Sequence, residues 1–178
     1  MNLHRDLIQT MRADAIPAPQ DSGLWYVERQ DLGALLAPQP RLDLYVREIG
    51  AYHAYPELPH VLTSLNRWTD ATLHQGRGES VMSDDPKELR RHFPVLLHAS
   101  GRVLVTGLGL GCVVRGLLAL PQVTHVDVVE NSLDVINMVA AHMPADARLR
   151  VRYADAVTCR WPAGAAWDFA WHDVWGDG

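Results

Sequence analysis

Cysteine is scarce in this chain: two residues in 178, Cys112 and Cys159, far apart in sequence. Neither has the paired spacing of a metal site or a dithiol redox centre, so both read as free thiols, and Cys112 as a small packed residue. A basic stripe is missing too. The formal net charge is −5 and the acids are dispersed, which leaves nothing to neutralise a phosphate backbone. No apolar run approaches the roughly eighteen residues of a membrane span, and no signal peptide opens the sequence. These absences predict a cytoplasmic protein with neither nucleic acid nor membrane as partner. Nine histidines are present, yet none forms an H-E-x-x-H or similar pair. No metal centre is expected, and the histidines read as surface or packing residues. Internal repeats and low-complexity tracts are also lacking. What remains is a chain of ordinary single-domain length, 48% hydrophobic, with enough apolar residues for a real core.

The informative stretch is 103–111, VLVTGLGLG. Its apolar run lacks alternation, as a parallel strand does when helices cover both faces of its sheet. Gly107, Gly109 and Gly111 follow at once, where a sharp turn and a close ligand approach exclude a Cβ. The segment 112–120 reads as a helix whose free N–H groups point into that turn. Strand, glycine turn and helix form a nucleotide-binding corner, against the plainer reading of a tight turn. A dinucleotide fingerprint would place its third glycine at position 112, which is Cys112. That argues against a nicotinamide cofactor.

Three further positions follow the same logic. Residues 123–129 read as a second strand ending at Glu130, nineteen residues beyond Gly111. Its carboxylate either accepts from both hydroxyls of a ribose or caps the next helix beside Asn131 and Ser132. A helix over 132–143 carries Leu133, Ile136, Val139 and Ala140 at helical spacing and ends at Pro144. A third strand, 149–153, leads into Ala154, Asp155 and Ala156, where Asp155 either meets an adenine amino group or caps a turn. A fourth strand over 167–173 ends in Asp173, at the sheet end where ligands of open α/β folds bind. His172 precedes it and, by strand alternation, points to the opposite face. The tryptophans at 161, 167 and 171 read as packing residues. Trp175 reads as packing too, with an aromatic face beside a cationic ligand group as the alternative.

The run from about Glu79 to Asp173 resembles spermidine synthase and its relatives of the class I S-adenosylmethionine (SAM) methyltransferase fold. The matching pieces are Pro94, VLVTGLGLG with its G-x-G-x-G spacing, Val114-Arg115, Pro121 to Val123, HVDVVE with Leu133 to Ile136, Arg150-Val151, Ala154 to Ala156, and Trp167-Asp168 leading to Asp173. The resemblance implies a Rossmann-like parallel sheet of the methyltransferase type with SAM as cofactor. It implies that Gly107, Gly109 and Gly111 line the methionine part, that Glu130 holds the ribose, that Asp155 and Ala156 meet the adenine, and that Asp173 faces the reacting centre. The departures concern the polyamine. Leu110 stands where those synthases carry an acid, and 84–89 retains only Glu88 of their aromatic-rich stretch. The second acid expected three residues after Asp173 is replaced by Gly176. No Asn/Asp-Pro-Pro-aromatic motif of a DNA amino-methyltransferase follows the fourth strand either.

The organisation expected is an N-terminal helix and small antiparallel β module over 1–93, then a SAM-binding domain over 94–178. In the first part a helix is expected over 3–12, with Leu3, Leu7, Ile8 and Met11 on one face. Strands are expected at 24–27, 42–48 and 60–65, and a hairpin around Gly76-Arg77-Gly78. Asp85 and Pro86 start a helix that runs to about His92 and closes the module over the cleft. A seven-stranded sheet of the family's type is expected to be truncated after strand four, so that the chain is a minimal form, is shortened, or has its sheet completed by a partner copy. A homodimer is expected from the open edge. The functional expectation is a SAM-dependent methyltransferase acting on a small-molecule acceptor, with Asp173 as base where the acceptor arrives protonated. A non-catalytic SAM- or nucleoside-binding module and an aminopropyltransferase relative are the alternatives.

Overall fold

Two four-stranded sheets of opposite character make up the described part of the chain, which in this computed structural model is residues 3–31, 61–68 and 78–173. The first is antiparallel, in the order β1 (Gln20–Ser22), β2 (Trp25–Asp31), β3 (Val61–Arg67), β4 (Glu79–Ser83). The expected strand at 24–27 is therefore longer, carried to Asp31 by its full pairing with β3. The expected strand at 42–48 and the turn at 76–77 lie outside the described residues. β3 and β4 nonetheless pair as a hairpin requires, with Arg67 opposite Glu79.

The second sheet is parallel, in the order β7 (Leu149–Tyr153), β6 (Val123–Glu130), β5 (Gly101–Thr106), β8 (Phe169–His172). Third, second, first, fourth is the opening order of a doubly-wound fold, so the domain is Rossmann-like α/β. Its helices are α4 (Cys112–Leu118), between β5 and β6, and α5 (Leu133–Val139), between β6 and β7. The helix expected over 132–143 stops at Val139 and tightens into a 3-10 turn, Ala140–His142. Ser132 caps its start by accepting from the Val135 amide.

Register explains the core. Phe169, Val103, Val126 and Leu149 align across the four strands, and Trp171, Val105, Val128 and Val151 form the next such row. Both rows pack into one hydrophobic cluster with Val135 and Val139 of α5 and Val113, Val114 and Leu117 of α4. The intervening rows are different: Ala170, Leu104, Asp127, Arg150, and then His172, Thr106, Val129, Arg152. The expectation of helices on both faces is thus corrected. The cause is the connection from β7 to β8, residues 154–168, which holds turns and no helix.

The N-terminal elements are tied into the same core. α1 (Leu3–Met11) buries Leu7, Ile8 and Met11 and packs on α4, where Gly116 admits it: a Cβ there would lie 3.0 Å from Met11 Cγ. Arg115 is buried in α4 and donates from Nε to the Arg12 carbonyl and from Nη2 to the His142 carbonyl. Ser22 Oγ donates to Asp134 Oδ1 on α5. After β4, Asp85 caps α2 (Pro86–Arg90), accepting from the Lys87 and Glu88 amides with Pro86 in the first turn. The helix expected to reach His92 ends at Arg90, and α3 (Phe93–His98) starts afresh with Pro94 in its first turn. A boundary at 93/94 falls inside the first turn of α3.

Candidate functional site

The residues singled out from sequence converge on one end of the parallel sheet. Gly107 follows β5, Glu130 ends β6, Asp155 follows β7 and Asp173 follows β8. These are all carboxyl ends, and the strand order reverses between β5 and β8, where Gly107 and Asp173 lie.

The glycine turn is built by its neighbours. All three glycines have positive φ: 92° at Gly107, 51° at Gly109 and 73° at Gly111. The Gly107 amide donates to the Val129 carbonyl at 2.8 Å, and the Asp173 amide to the Thr106 carbonyl at 2.9 Å, so the turn is sewn to the strand on either side. A Cβ at Gly107 would lie 2.6 Å from the Asp173 carbonyl oxygen, and one at Gly109 would lie 2.6 Å from Met82 Sδ. At Gly111 the obstacle is Met143 Sδ. At Gly107 the obstructing atoms are backbone, so glycine is required there by the protein's own atoms as well as by conformation. Over Gly109 and Gly111 the obstructing atoms are ends of flexible thioether side chains.

Glu130 is buried, 7% exposed, and its carboxylate bridges two loops. Oε2 accepts from the Leu108 amide in the glycine turn at 2.7 Å, and Oε1 from the Ser132 amide ahead of α5 at 2.8 Å. It is thus buried rather than solvated, and the cap of α5 itself is Ser132, whose amide Glu130 holds. Each oxygen keeps a further lone pair for an outside donor. Its own carbonyl accepts from the Ala154 amide, which brings the start of the Asp155 loop alongside.

Asp155 is exposed and makes a turn of its own. Oδ1 accepts from the Val157 amide at 2.8 Å and Oδ2 from the Thr158 hydroxyl at 3.1 Å. The Val157 N–H and then the Thr158 hydroxyl hold its carboxyl below the usual range. Ala156 beside it is half-buried.

Around Asp173 the expected strand over 167–173 is shorter, with only Phe169–His172 in the ladder. His172 and Asp173 do diverge. The His172 ring, Nδ1 at 3.0 Å from Thr106 Oγ1, lies on the row away from the helices. Trp171 lies on the helix side, edge-on to His92 with ring centroids 6.0 Å apart. The Asp173 charge acts on that same imidazole. Trp175 lies outside the described residues.

Two residues of this neighbourhood escaped sequence reasoning. His92 is 4% exposed and neither ring nitrogen has a hydrogen-bond partner. Burial lowers its pKa, opposed by the Asp173 carboxylate and reinforced by Arg91, so the ring is neutral at pH 7. Asp84 is fully buried and accepts from the Thr63 and Ala13 amides at 2.7 and 3.0 Å, with Arg12 Nη2 at 3.6 Å. Burial raises its pKa, and Arg12 opposes that shift. It locks α1 and β3 to the end of β4, and so places Met82 over the turn. Met82 itself accepts from the Leu110 amide at 3.3 Å.

Leu110 is fully buried. Cys112 is also buried, and burial raises its thiol well above the ordinary value, so it is an inert packed residue as read from sequence. Glu88 turns inward to accept from the Ser83 amide and hydroxyl. Among the described residues, no group of three His, Cys, Asp or Glu side chains is arranged to hold a metal, and no helix is long and apolar enough to cross a membrane. No protein-family model matches the chain, and no curated protein matches it.

Proposed function

We propose that the chain binds SAM at the carboxyl end of its parallel sheet and transfers the methyl group to a small-molecule acceptor. Under this reading the sheet is the first part of a class I methyltransferase sheet. One observation carries it most: the Glu130 carboxylate stands at the end of the strand next to the glycine turn and holds the Leu108 amide of that turn. A carboxylate so fixed has lone pairs left for a vicinal diol, the recognition element of a ribose. The glycine turn would receive the methionine part once the Met82 and Met143 thioethers move aside. Asp155 and Ala156 would border the base.

SAM supplies an activated methyl on its sulfonium, so the protein's work is mainly alignment and exclusion of water. Orientation contributes up to about 7–11 kcal/mol to such a reaction, while a single base contributes about 10²–10⁴-fold. Asp173 would hold the acceptor and take its proton where it has one. His92, neutral and beside Asp173, would receive a proton from that carboxyl only after burial is relieved. Cys112 in place of a third glycine speaks against a dinucleotide. Leu110, buried where an aminopropyltransferase keeps an acid, speaks against polyamine synthesis and favours, as second reading, a binder of SAM or nucleosides without turnover.

The Asp173→Asn variant tests the reaction. It is expected to bind SAM within about threefold of the parent while methyl transfer to a metabolite pool falls roughly 10²-fold or more. Unchanged transfer would remove Asp173 from the mechanism, and no transfer by the parent would leave the binding module.

A further inference from the structure

The sheet face away from α4 and α5 holds a cavity of about 700 Å³, within the usual range for a small-molecule site. Its origin lies in the handedness of the fold. From β5 to β6 to β7 the chain steps one way across the sheet, so both right-handed crossovers fall on the same face. From β7 to β8 it steps back past β5 and β6, which puts residues 154–168 over the opposite face. With no helix in that crossover the face is only partly filled.

The floor of the cavity is Arg102, Asp127, Arg150 and Arg152, and Trp161 and Trp167 stand at its wall. Three guanidinium groups thus face one carboxylate, in a chain of net charge −5. That carboxylate is engaged: Asp127 Oδ2 accepts from Trp167 Nε1 at 2.8 Å and pairs with Arg102 Nη2 at 3.5 Å. Arg152 is half-buried and stacked over Trp161, 4.6 Å from the ring centroid. Its hydrogen-bond acceptor is the sulfur of Cys159 at 3.6 Å, a weak one. The Arg150 side chain makes no hydrogen bond or ion pair with any described residue. The two are i and i+2 on one face of β7, so their backbones are separated by about 6–7 Å. Two forked donors at that spacing, one of them preset by an aromatic ring, suit a pair of oxyanion groups.

We propose that this cavity binds a small metabolite carrying two or more oxyanion groups, either phosphates or carboxylates, between Arg150 and Arg152. The cavity differs from the site at the glycine turn by its sheet face: it lies on the side away from α4 and α5, and it runs from Arg102 and Arg150, second residues of β5 and β7, to Arg152 nearer the carboxyl end. Trp161 covers one side of the Arg152 guanidinium, and Trp167 packs edge-on against Trp161, ring centroids 4.7 Å apart.

Calorimetric titration of the full chain with pyrophosphate, citrate and inorganic phosphate, at about physiological ionic strength, tests the proposal. Saturable single-site binding of pyrophosphate or citrate, tighter than inorganic phosphate, is expected, and the tighter of the two identifies the source of the oxyanions. Arg150→Gln and Arg152→Gln are each expected to weaken it roughly tenfold, the loss of one charge-assisted contact. Arg150 is exposed and unpartnered, so its variant retains the fold even if Arg152→Gln does not. Arg91→Gln, an exposed charge elsewhere, is expected to leave the affinity unchanged. The proposal is overturned by absence of saturable binding, by equal weakening from Arg91→Gln and Arg150→Gln, or by a single-stranded oligonucleotide that binds more tightly than any of the three anions.

Discussion

The carboxylate of Glu130 and the imidazole of His92 lie near the same sheet end and are handled in opposite ways. Glu130 is buried with an N–H donor on each oxygen. His92 is buried without a partner on either nitrogen, so the charged form is disfavoured. The sequence pointed to Glu130 because strand-end position and spacing are local features. It could not point to His92, whose burial comes from Trp171, far along the chain, nor to Asp84, whose partners are 21 and 71 residues away. The His92 shift has a consequence for stability. The folded state holds the ring neutral while the unfolded chain titrates near the ordinary value of about 6.5. As pH falls through that value the unfolded state takes up the proton and stability drops; above it the His92 contribution is complete. Urea midpoints measured at about pH 7.5 and about pH 5.5 are expected to differ more for the parent than for His92→Gln. Parallel pH dependence in the two proteins would contradict this account of His92.

At the scale of elements, the glycine turn joins local and distant demands. Its location after β5 was legible, because a β-branched run that stops at three spaced glycines has few other readings. The reason each glycine is needed was not legible: Gly107 is hemmed in by the Asp173 carbonyl, 66 residues on, and Gly109 by Met82, 27 residues earlier. Gly107→Ala combines φ of 92° with a 2.6 Å clash against backbone that cannot move aside. It is expected to lower stability by about 1–3 kcal/mol in urea unfolding. A loss below about 0.5 kcal/mol would mean that the turn is far more plastic than its hydrogen bonds to Val129 and Glu130 of β6 indicate. Helix ends were read less well than strands. α5 runs only to Val139, and the helix begun at Asp85 splits at Arg91–His92, because tertiary packing sets those ends rather than local spacing.

The molecule as a whole has one well-filled sheet face and one that is not. A parallel sheet could be anticipated from the succession of strand, glycine turn and helix, yet the uneven cover could not, since an apolar run such as 103–105 does not report what lies over each face. The outer edge of β8 pairs with no described strand, and an open parallel edge favours association. Sedimentation at micromolar concentration is accordingly expected to show a dimer, and a persistent monomer would contradict that expectation. The central claim, SAM at the carboxyl end of the sheet, is tested most directly by calorimetry. The parent is titrated with SAM, S-adenosylhomocysteine, decarboxylated SAM and NAD, and Glu130→Gln with whichever binds. The account predicts saturable binding of S-adenosylhomocysteine and SAM, none of NAD, and roughly tenfold weaker binding by Glu130→Gln. Binding of NAD in preference to both adenosyl sulfur compounds, or affinity untouched by Glu130→Gln, would contradict it.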